Sequence, residues 1–198
     1  MIAVVKYNAG NTHSVVNALS RIGYECTVTD DERTIRSADH VIFPGVGEAS
    51  SAMSYLRSSG LDKTLSSLEQ PFLGICLGMQ LMTRHSEEGD VDLLSIYPEE
   101  SVLRFPSDRG YKIPHVGWND IKVIDDRLFY SIPSDSYFYF VHSYYVDRSS
   151  HSAALCTYDD ITFSAALSKD NYFGIQFHPE KSGKLGERVL RNFLEVIK

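Results

Sequence analysis

The chain has 198 residues, 43% of them hydrophobic and 23% charged, the balance of a globular protein with a sizeable core. A net charge of −7 with no Lys/Arg cluster argues against nucleic-acid binding, and no apolar run reaches the ~20 residues of a membrane span. Three cysteines, at 26, 76 and 156, are odd in number and far apart, which speaks against a disulfide framework and for a reducing, cytoplasmic setting.

Met1-Ile2-Ala3-Val4-Val5 is too short and lacks the basic leader of a signal peptide, so Ile2–Val5 is expected to be a buried strand. Asn8-Ala9-Gly10-Asn11 reads as a turn. Asn11 or Thr12 then caps a helix with Val15, Val16, Leu19 and Ile22 at helical spacing and Gly23 at its end. Tyr24–Val28 and His40–Phe43 are the next strands, the second running into Pro44-Gly45-Val46-Gly47. Helical stretches follow around Met53, Tyr55 and Leu56 and around Leu61, Leu65 and Leu68, then an apolar strand begins after Pro71. This alternation predicts an α/β fold, an open, mostly parallel sheet with helices on both faces. Active sites of such sheets lie at the carboxyl ends of the strands, where Pro44–Gly47 and Cys76 fall.

Beyond about Glu87 the texture changes. Val102–Phe105, Asp120–Ile124, Tyr137–Val146, Ala153–Cys156 and Thr162–Leu167 read as strands joined by turns rich in Pro, Gly, Asp and Ser, a mixed antiparallel extension. A last helix is expected from about Gly186 to Ile197, with Val189, Leu190, Phe193, Leu194 and Ile197 on its apolar stripe. No repeat or linker interrupts the chain, and residues 1–198 are expected to form a single domain. Cys26 and Cys156 stand in apolar surroundings and read as inert core residues.

The stretch Gly74-Ile75-Cys76-Leu77-Gly78 has the form of a nucleophile elbow, in which a strand turns sharply into a helix and close packing demands glycines. A helix starting at Leu77 and continuing into Leu81-Met82 would direct its positive end at the sulfur. Taken alone, the stretch suits a reactive and a merely packed cysteine equally. A nucleophilic cysteine needs a base and a group to orient it. His178-Pro179-Glu180 can supply both, since in an extended segment residues 178 and 180 point to the same side; taken alone it reads rather as a turn with a surface His and Glu, and pairing with the elbow cysteine strengthens the catalytic reading. N–H groups of Val46, Gly47 and Leu77 would form an oxyanion hole. His13, His40, His85 and His151 read as solvated or structural, and no His-Glu-x-x-His or Cys-x-x-Cys marks a metal site.

Gly74-Ile75-Cys76-Leu77-Gly78-Met79-Gln80 and the block Gly174-Ile175-Gln176-Phe177-His178-Pro179-Glu180-Lys181-Ser182 resemble the two signatures of the class I (triad) glutamine amidotransferases. Within that family Pro44–Gly47, Pro114-His115-Val116-Gly117-Trp118-Asn119, Tyr139–Tyr145 and Asn8–Val15 resemble a member that supplies a separate cyclase with a (βα)8 barrel. The resemblance covers the chain end to end. It implies a flavodoxin-like, class I amidotransferase-like α/β fold, glutamine as substrate, and no cofactor. It implies Cys76 as nucleophile, His178 as acid and base, and Glu180 as its orienter. It assigns Gln80, Glu88, His142, Ser143 and Tyr144 to substrate binding, and Asn11 and Trp118 to the cyclase interface of a heterodimer in histidine biosynthesis. Trp118 is expected in a Gly-rich polar loop, where its other role would be a buried anchor. After Glu88 the chain is less glycine-rich than the family pattern, which bears on where Glu88 sits. Other acceptors, in anthranilate or pyridoxal phosphate pathways, and a non-catalytic subunit of the same fold stand as alternatives. The Gly-Val-Gly context makes Pro44–Gly47 the expected switch, because glycines let a peptide plane rotate cheaply.

Overall fold

The computed structural model describes every residue except Gly10, Arg109, Asp126 and Lys198. The turn expected at Asn8–Asn11 includes Gly10 and so lies partly outside the described residues.

The first half alternates as its apolar spacing predicts. Strand β1 (Ile2–Val5) is buried throughout, and helix α1 (Thr12–Arg21) buries Val15, Ala18 and Leu19 and is closed by Gly23 at φ +87°. Strand β2 (Cys26–Thr29) is followed by helix α2 (Glu32–Arg36), which the sequence does not announce. It buries only Ile35, and it forms because Asp31 caps it, accepting the Thr34 N–H at 2.8 Å. Strand β3 (His40–Gly45) runs two residues further than its apolar stretch. Helices α3 (Ala49–Ser59) and α4 (Leu61–Leu65) meet at Gly60, which is left-handed at φ +76°. Strand β4 (Phe72–Cys76) enters helix α5 (Leu77–Gln80).

The chain then leaves the main sheet for β5 (Thr83–Ser86), β6 (Val91–Asp92) and β7 (Tyr97–Arg104). Strands β8 (His115–Val123) and β9 (Ser136–His142) pair antiparallel, and Ser143 separates β9 from β10 (Tyr144–Val146). Strands β11 (Ser152–Tyr158), β12 (Ile161–Lys169) and β13 (Tyr172–Ile175) lead to helix α6 (Gly183–Glu195).

Among the described residues nine strands form one sheet in the order β2-β1-β3-β4-β13-β12-β11-β8-β9, and β10-β7-β5-β6 form a second. From β2 to β13 the neighbours are parallel; from β13 to β9 they are antiparallel. Alternation along each strand divides the core. Val4, Ile42, Leu73 and Ile75 meet α1 and α6, whereas Ala3, Val5, Val41 and Phe43 meet α2 to α5 and the second sheet. The expected α/β architecture, with helices on both faces and an antiparallel extension, is the one observed.

Strand β13 positions the site. It lies parallel to β4 with Gly174 opposite Gly74 and Ile175 opposite Ile75. Both strands therefore end at the same edge, one leading into Cys76 and the other toward His178. Strand β3 flanks β4 on its other side and sets Gly45 against Cys76.

Three details differ from expectation. Cys26 is only half-buried, because β2 is the edge strand. Trp118 lies in the middle of β8 and not in a loop, and it is 55% exposed, so it anchors no core. The expected strand Tyr137–Val146 breaks at Ser143, where the chain passes from one sheet to the other.

Candidate active site

The elbow is built by close approach of backbone. Cys76 has φ 54° and ψ −110°, a strained conformation that L residues rarely hold outside functional turns. A Cβ at residue 78 would overlap the Phe43 carbonyl oxygen, and one at residue 74 would lie 2.7 Å from the Gly78 carbonyl oxygen. These glycines let β4, β3 and α5 meet around the sulfur. Helix α5 is one turn long and does not continue through Leu81-Met82, because the chain turns at once into β5 and the Thr83 hydroxyl donates to the Gln80 carbonyl at 2.9 Å. The helix starts at Leu77 as expected, but its expected continuation through Leu81-Met82 is absent. What α5 supplies is the N–H groups of its first turn, which have no acceptor within the helix.

His178 and Glu180 meet as expected but by a different route. His178 is extended, while Pro179–Lys181 form a 3₁₀ turn that swings Glu180 back onto the ring. His178 Nδ1 and Glu180 Oε1 are 2.8 Å apart and both side chains are 2% exposed. Burial pulls the His178 pKa down. The neighbouring Cys76 sulfur and the Glu180 carboxylate outweigh burial and push it up to about 10. Nε2 of His178 is buried without a partner at hydrogen-bond distance, yet the sulfur is close enough to act on its charge. Such contacts commonly tighten only in the Michaelis complex. The segment is tied to β9 through Ser182, whose hydroxyl donates to the His178 carbonyl at 2.6 Å and accepts the Tyr139 N–H at 3.0 Å.

A cavity of about 310 Å³ joins these groups. Cys76, Leu77 and Gln80 form one wall, and His178 and the edge of the Val46-Gly47 loop close it. Val141, His142, Ser143 and Tyr144 form an adjoining wall, met by Gln80 at the Tyr144 carbonyl, and Glu88 also lines the cavity. Every residue expected in the catalytic, oxyanion or substrate set except Glu180 lines this cavity; Glu180 stands behind His178. Glu88 reaches it despite the altered loop, and its Oε2 accepts the Ala49 N–H at 2.9 Å. Burial raises its pKa, against the Ala49 hydrogen bond that lowers it.

Val46 departs from expectation. Its N–H donates to the Ala9 carbonyl at 2.6 Å, so this donor is turned away from an oxyanion in the observed conformation. Asn11 and Trp118 lie outside the cavity, and Asn11 Oδ1 accepts the Ser14 hydroxyl at 3.2 Å.

Sequence reasoning passed over Gln176. This fully buried amide donates through Nε2 to Cys76 Sγ at 3.5 Å and accepts at Oε1 from Gln80 Nε2 at 2.9 Å. Gln80 Nε2 also donates to the Tyr144 carbonyl at 3.0 Å. The period of two that placed His178 could have placed Gln176 on the same side. His115 was passed over as well, and only strand pairing reveals it. Its Cα lies opposite that of His142 in the β8–β9 register. Among the described residues no group of His, Cys, Asp and Glu forms a metal cluster, and no helix is long and apolar enough to cross a membrane.

An elbow cysteine beside a buried His–Glu pair, at the end of a parallel sheet, defines the class. The chain belongs to the class-I glutamine amidotransferase family, whose model matches residues 3–197. A solved structure described as a glutamine amidotransferase has the same fold, with TM-score 0.75, 18% identity and coverage of 99% of this chain and 98% of the other. Among curated proteins, the chain is 54% identical over 196 residues to the imidazole glycerol phosphate synthase subunit HisH of Bacteroides thetaiotaomicron, covering 98% of this chain and 99% of that one. It is 48% identical over 198 residues to the protein of the same name from Pasteurella multocida, covering 100% of this chain and 98% of that one.

Proposed function

We propose that this chain is the glutaminase subunit of an imidazole glycerol phosphate synthase, with Cys76, His178 and Glu180 as its triad. The observation that carries this is the single cavity in which an elbow sulfur faces a buried, Glu180-oriented imidazole across a wall of Gln80 and the Ser143–Tyr144 backbone. The full-length match to relatives named HisH favours this acceptor over an anthranilate or pyridoxal phosphate pathway.

The Cys76 sulfur attacks the glutamine carboxamide carbon. The developing oxyanion is held by the Leu77 N–H and by an N–H of the Val46-Gly47 loop. Protonated His178 gives its proton to the leaving ammonia, and the carbon–nitrogen bond breaks to leave a thioester. His178 then takes a proton from water, which attacks the thioester and releases glutamate and the thiol. Glu180 keeps the proton on Nδ1 and stabilises the imidazolium. Glu88 receives the substrate ammonium, a charge that favours its ionised form, and the backbone around Ser143 receives the carboxylate. Because Val46 N–H is held by Ala9 O, the loop must rotate before it can donate, and Pro44–Gly47 is the switch.

Ammonia passes to a (βα)8-barrel cyclase in a heterodimer, where the ring-closing lyase step yields imidazole glycerol phosphate and AICAR in histidine biosynthesis. Trp118 and Asn11 face that partner; Trp118 is large, exposed and central to β8. A mechanism that needs Cys76 as a free thiol suits the reducing cytoplasm. The test is glutamate release with and without the cyclase and its nucleotide ligand. Turnover is expected only in the liganded complex, and equal, high turnover by the isolated chain would refute partner gating.

A further inference from the structure

Two histidine rings, His142 lining the cavity and His115 behind it, take no part in the steps above. His115 and His142 are 3% and 6% exposed and face one another across β8 and β9. His115 Nδ1 lies 2.9 Å from His142 Nε2, and His142 Nδ1 lies 2.8 Å from the Tyr144 carbonyl oxygen. Asn119 Nδ2 lies 3.4 Å from His115 Nε2. A carbonyl only accepts, so His142 Nδ1 carries a proton, and in the neutral ring its Nε2 is a lone pair. His115 then donates from Nδ1, and its Nε2 accepts from Asn119. As a neutral pair both rings hold the Nδ1–H tautomer, and every contact has one donor and one acceptor. An added proton would set two N–H groups against each other or expel the Asn119 donor.

The chain of bonds ends on the site. The Tyr144 carbonyl that receives His142 also receives Gln80 Nε2, and Gln80 is joined through Gln176 to the Cys76 sulfur. Its other end lies on β8, where Asn119 follows the exposed Trp118. Packing alone does not call for imidazole here. His115 stacks on Tyr158 at 4.1 Å and on Phe140 at 5.1 Å between ring centroids, contacts that a phenyl ring makes equally well.

We propose that His115 and His142 are a positioning couple for the glutaminase, which fixes the Ser143–Tyr144 backbone against Gln80 and ties it to the strand that carries Trp118. The proposal rests on the glutaminase assignment above. Burial holds both rings below their usual range, His115 at about 4 and His142 at about 3, in keeping with a neutral pair.

The experiment uses the complex with its cyclase and nucleotide ligand. His115→Phe keeps the ring packing and removes the donor to His142. It is expected to raise KM for glutamine about ten-fold, the effect of losing one well-formed buried hydrogen bond, with kcat changed less than about two-fold. His115→Gln, which can still donate, is expected to recover most of the loss. In the wild type, 15N shifts of both imidazoles at pH 7 are expected to report Nδ1–H. An active wild type with unchanged KM in His115→Phe overturns the couple alone, as does an Nε2–H tautomer at either ring. A wild-type complex that releases no glutamate overturns the glutaminase assignment itself. The tautomer measurement decides the case if His115→Phe fails to fold.

Discussion

On the parallel side of the cavity, Cys76 is held by backbone. Residues 74 and 78 have no room for a Cβ, Gly45 is set against Cys76, and the strained φ of 54° is enforced by β3, β4 and α5. On the antiparallel side, the wall of Val141 to Tyr144 is held by polar side chains. His142, His115 and Gln80 hold it through hydrogen bonds of 2.8 to 3.0 Å, and β8 and β9 leave Val116, Trp118 and Tyr137 more than half exposed. A nucleophile works only if it cannot move, and steric overlap gives that rigidity. A wall that answers to a partner, as the proposed function requires, has to shift. Hydrogen bonds worth about 1 kcal/mol each allow this where packed backbone does not.

The contrast can be broken at several points. Cys76→Ala should abolish glutamate release, a loss of at least roughly 10³-fold, while leaving the thermal midpoint nearly unchanged; ammonia production at the wild-type rate would remove Cys76 from the chemistry. Glu180→Gln keeps the shape but takes away one of the two charges, beside that of the Cys76 sulfur, that favour protonated His178. Release by the complex should fall roughly 10²–10⁴-fold, checked by initial rates, with little change in cyclase binding. Gly78→Ala should cost about 3 kcal/mol in chemical denaturation because its methyl meets the Phe43 carbonyl. A stable, active Gly78→Ala would show that the elbow is less tightly set than its geometry implies. Trp118→Ala should leave the free chain's stability within error and weaken cyclase binding by about 2 kcal/mol, roughly thirty-fold in Kd by calorimetry.

The smallest effect is the pH response of the polar wall. His115 and His142 have folded pKa values of about 4 and about 3, below the unfolded value, so the unfolded chain binds more protons below pH 6.5. Their contribution to stability is complete above pH 6.5 and is lost as the pH falls toward 4 and then 3. The slope is on the order of 1 kcal/mol per pH unit for each ring. His115→Phe should be less sensitive to acid by one ring's share; identical acid slopes in variant and wild type would mean that His115 is not held neutral.

Much of the parallel half was legible because it follows local rules. Apolar runs of four or five residues gave β1, β3 and β4, and Gly-x-Cys-x-Gly gave the elbow. The pairing of His178 with Glu180 was anticipated, although the turn that makes it is 3₁₀ and not extended. Helix α2 was hidden because one buried Ile35 leaves no periodicity to see. The antiparallel half was less legible. Trp118 sits among Gly117, Asn119 and Asp120, a composition that suggests a loop, and only pairing with Tyr139 makes it a strand residue.

By itself, the sequence determined which side chains are available for chemistry, a thiol in an elbow and an imidazole two residues from a carboxylate, because those depend on spacing along a few residues. Tertiary structure alone decided which groups meet. The parallel register of β4 and β13 brings Cys76 to His178 and Gln176. The antiparallel register of β8 and β9 sets His115 against His142. The turn of the Val46 N–H toward Ala9 decides that this donor is engaged by the Ala9 carbonyl and not directed into the cavity. These are contacts between residues tens of positions apart, and hydrogen bonds across strands fix them, which no local pattern encodes.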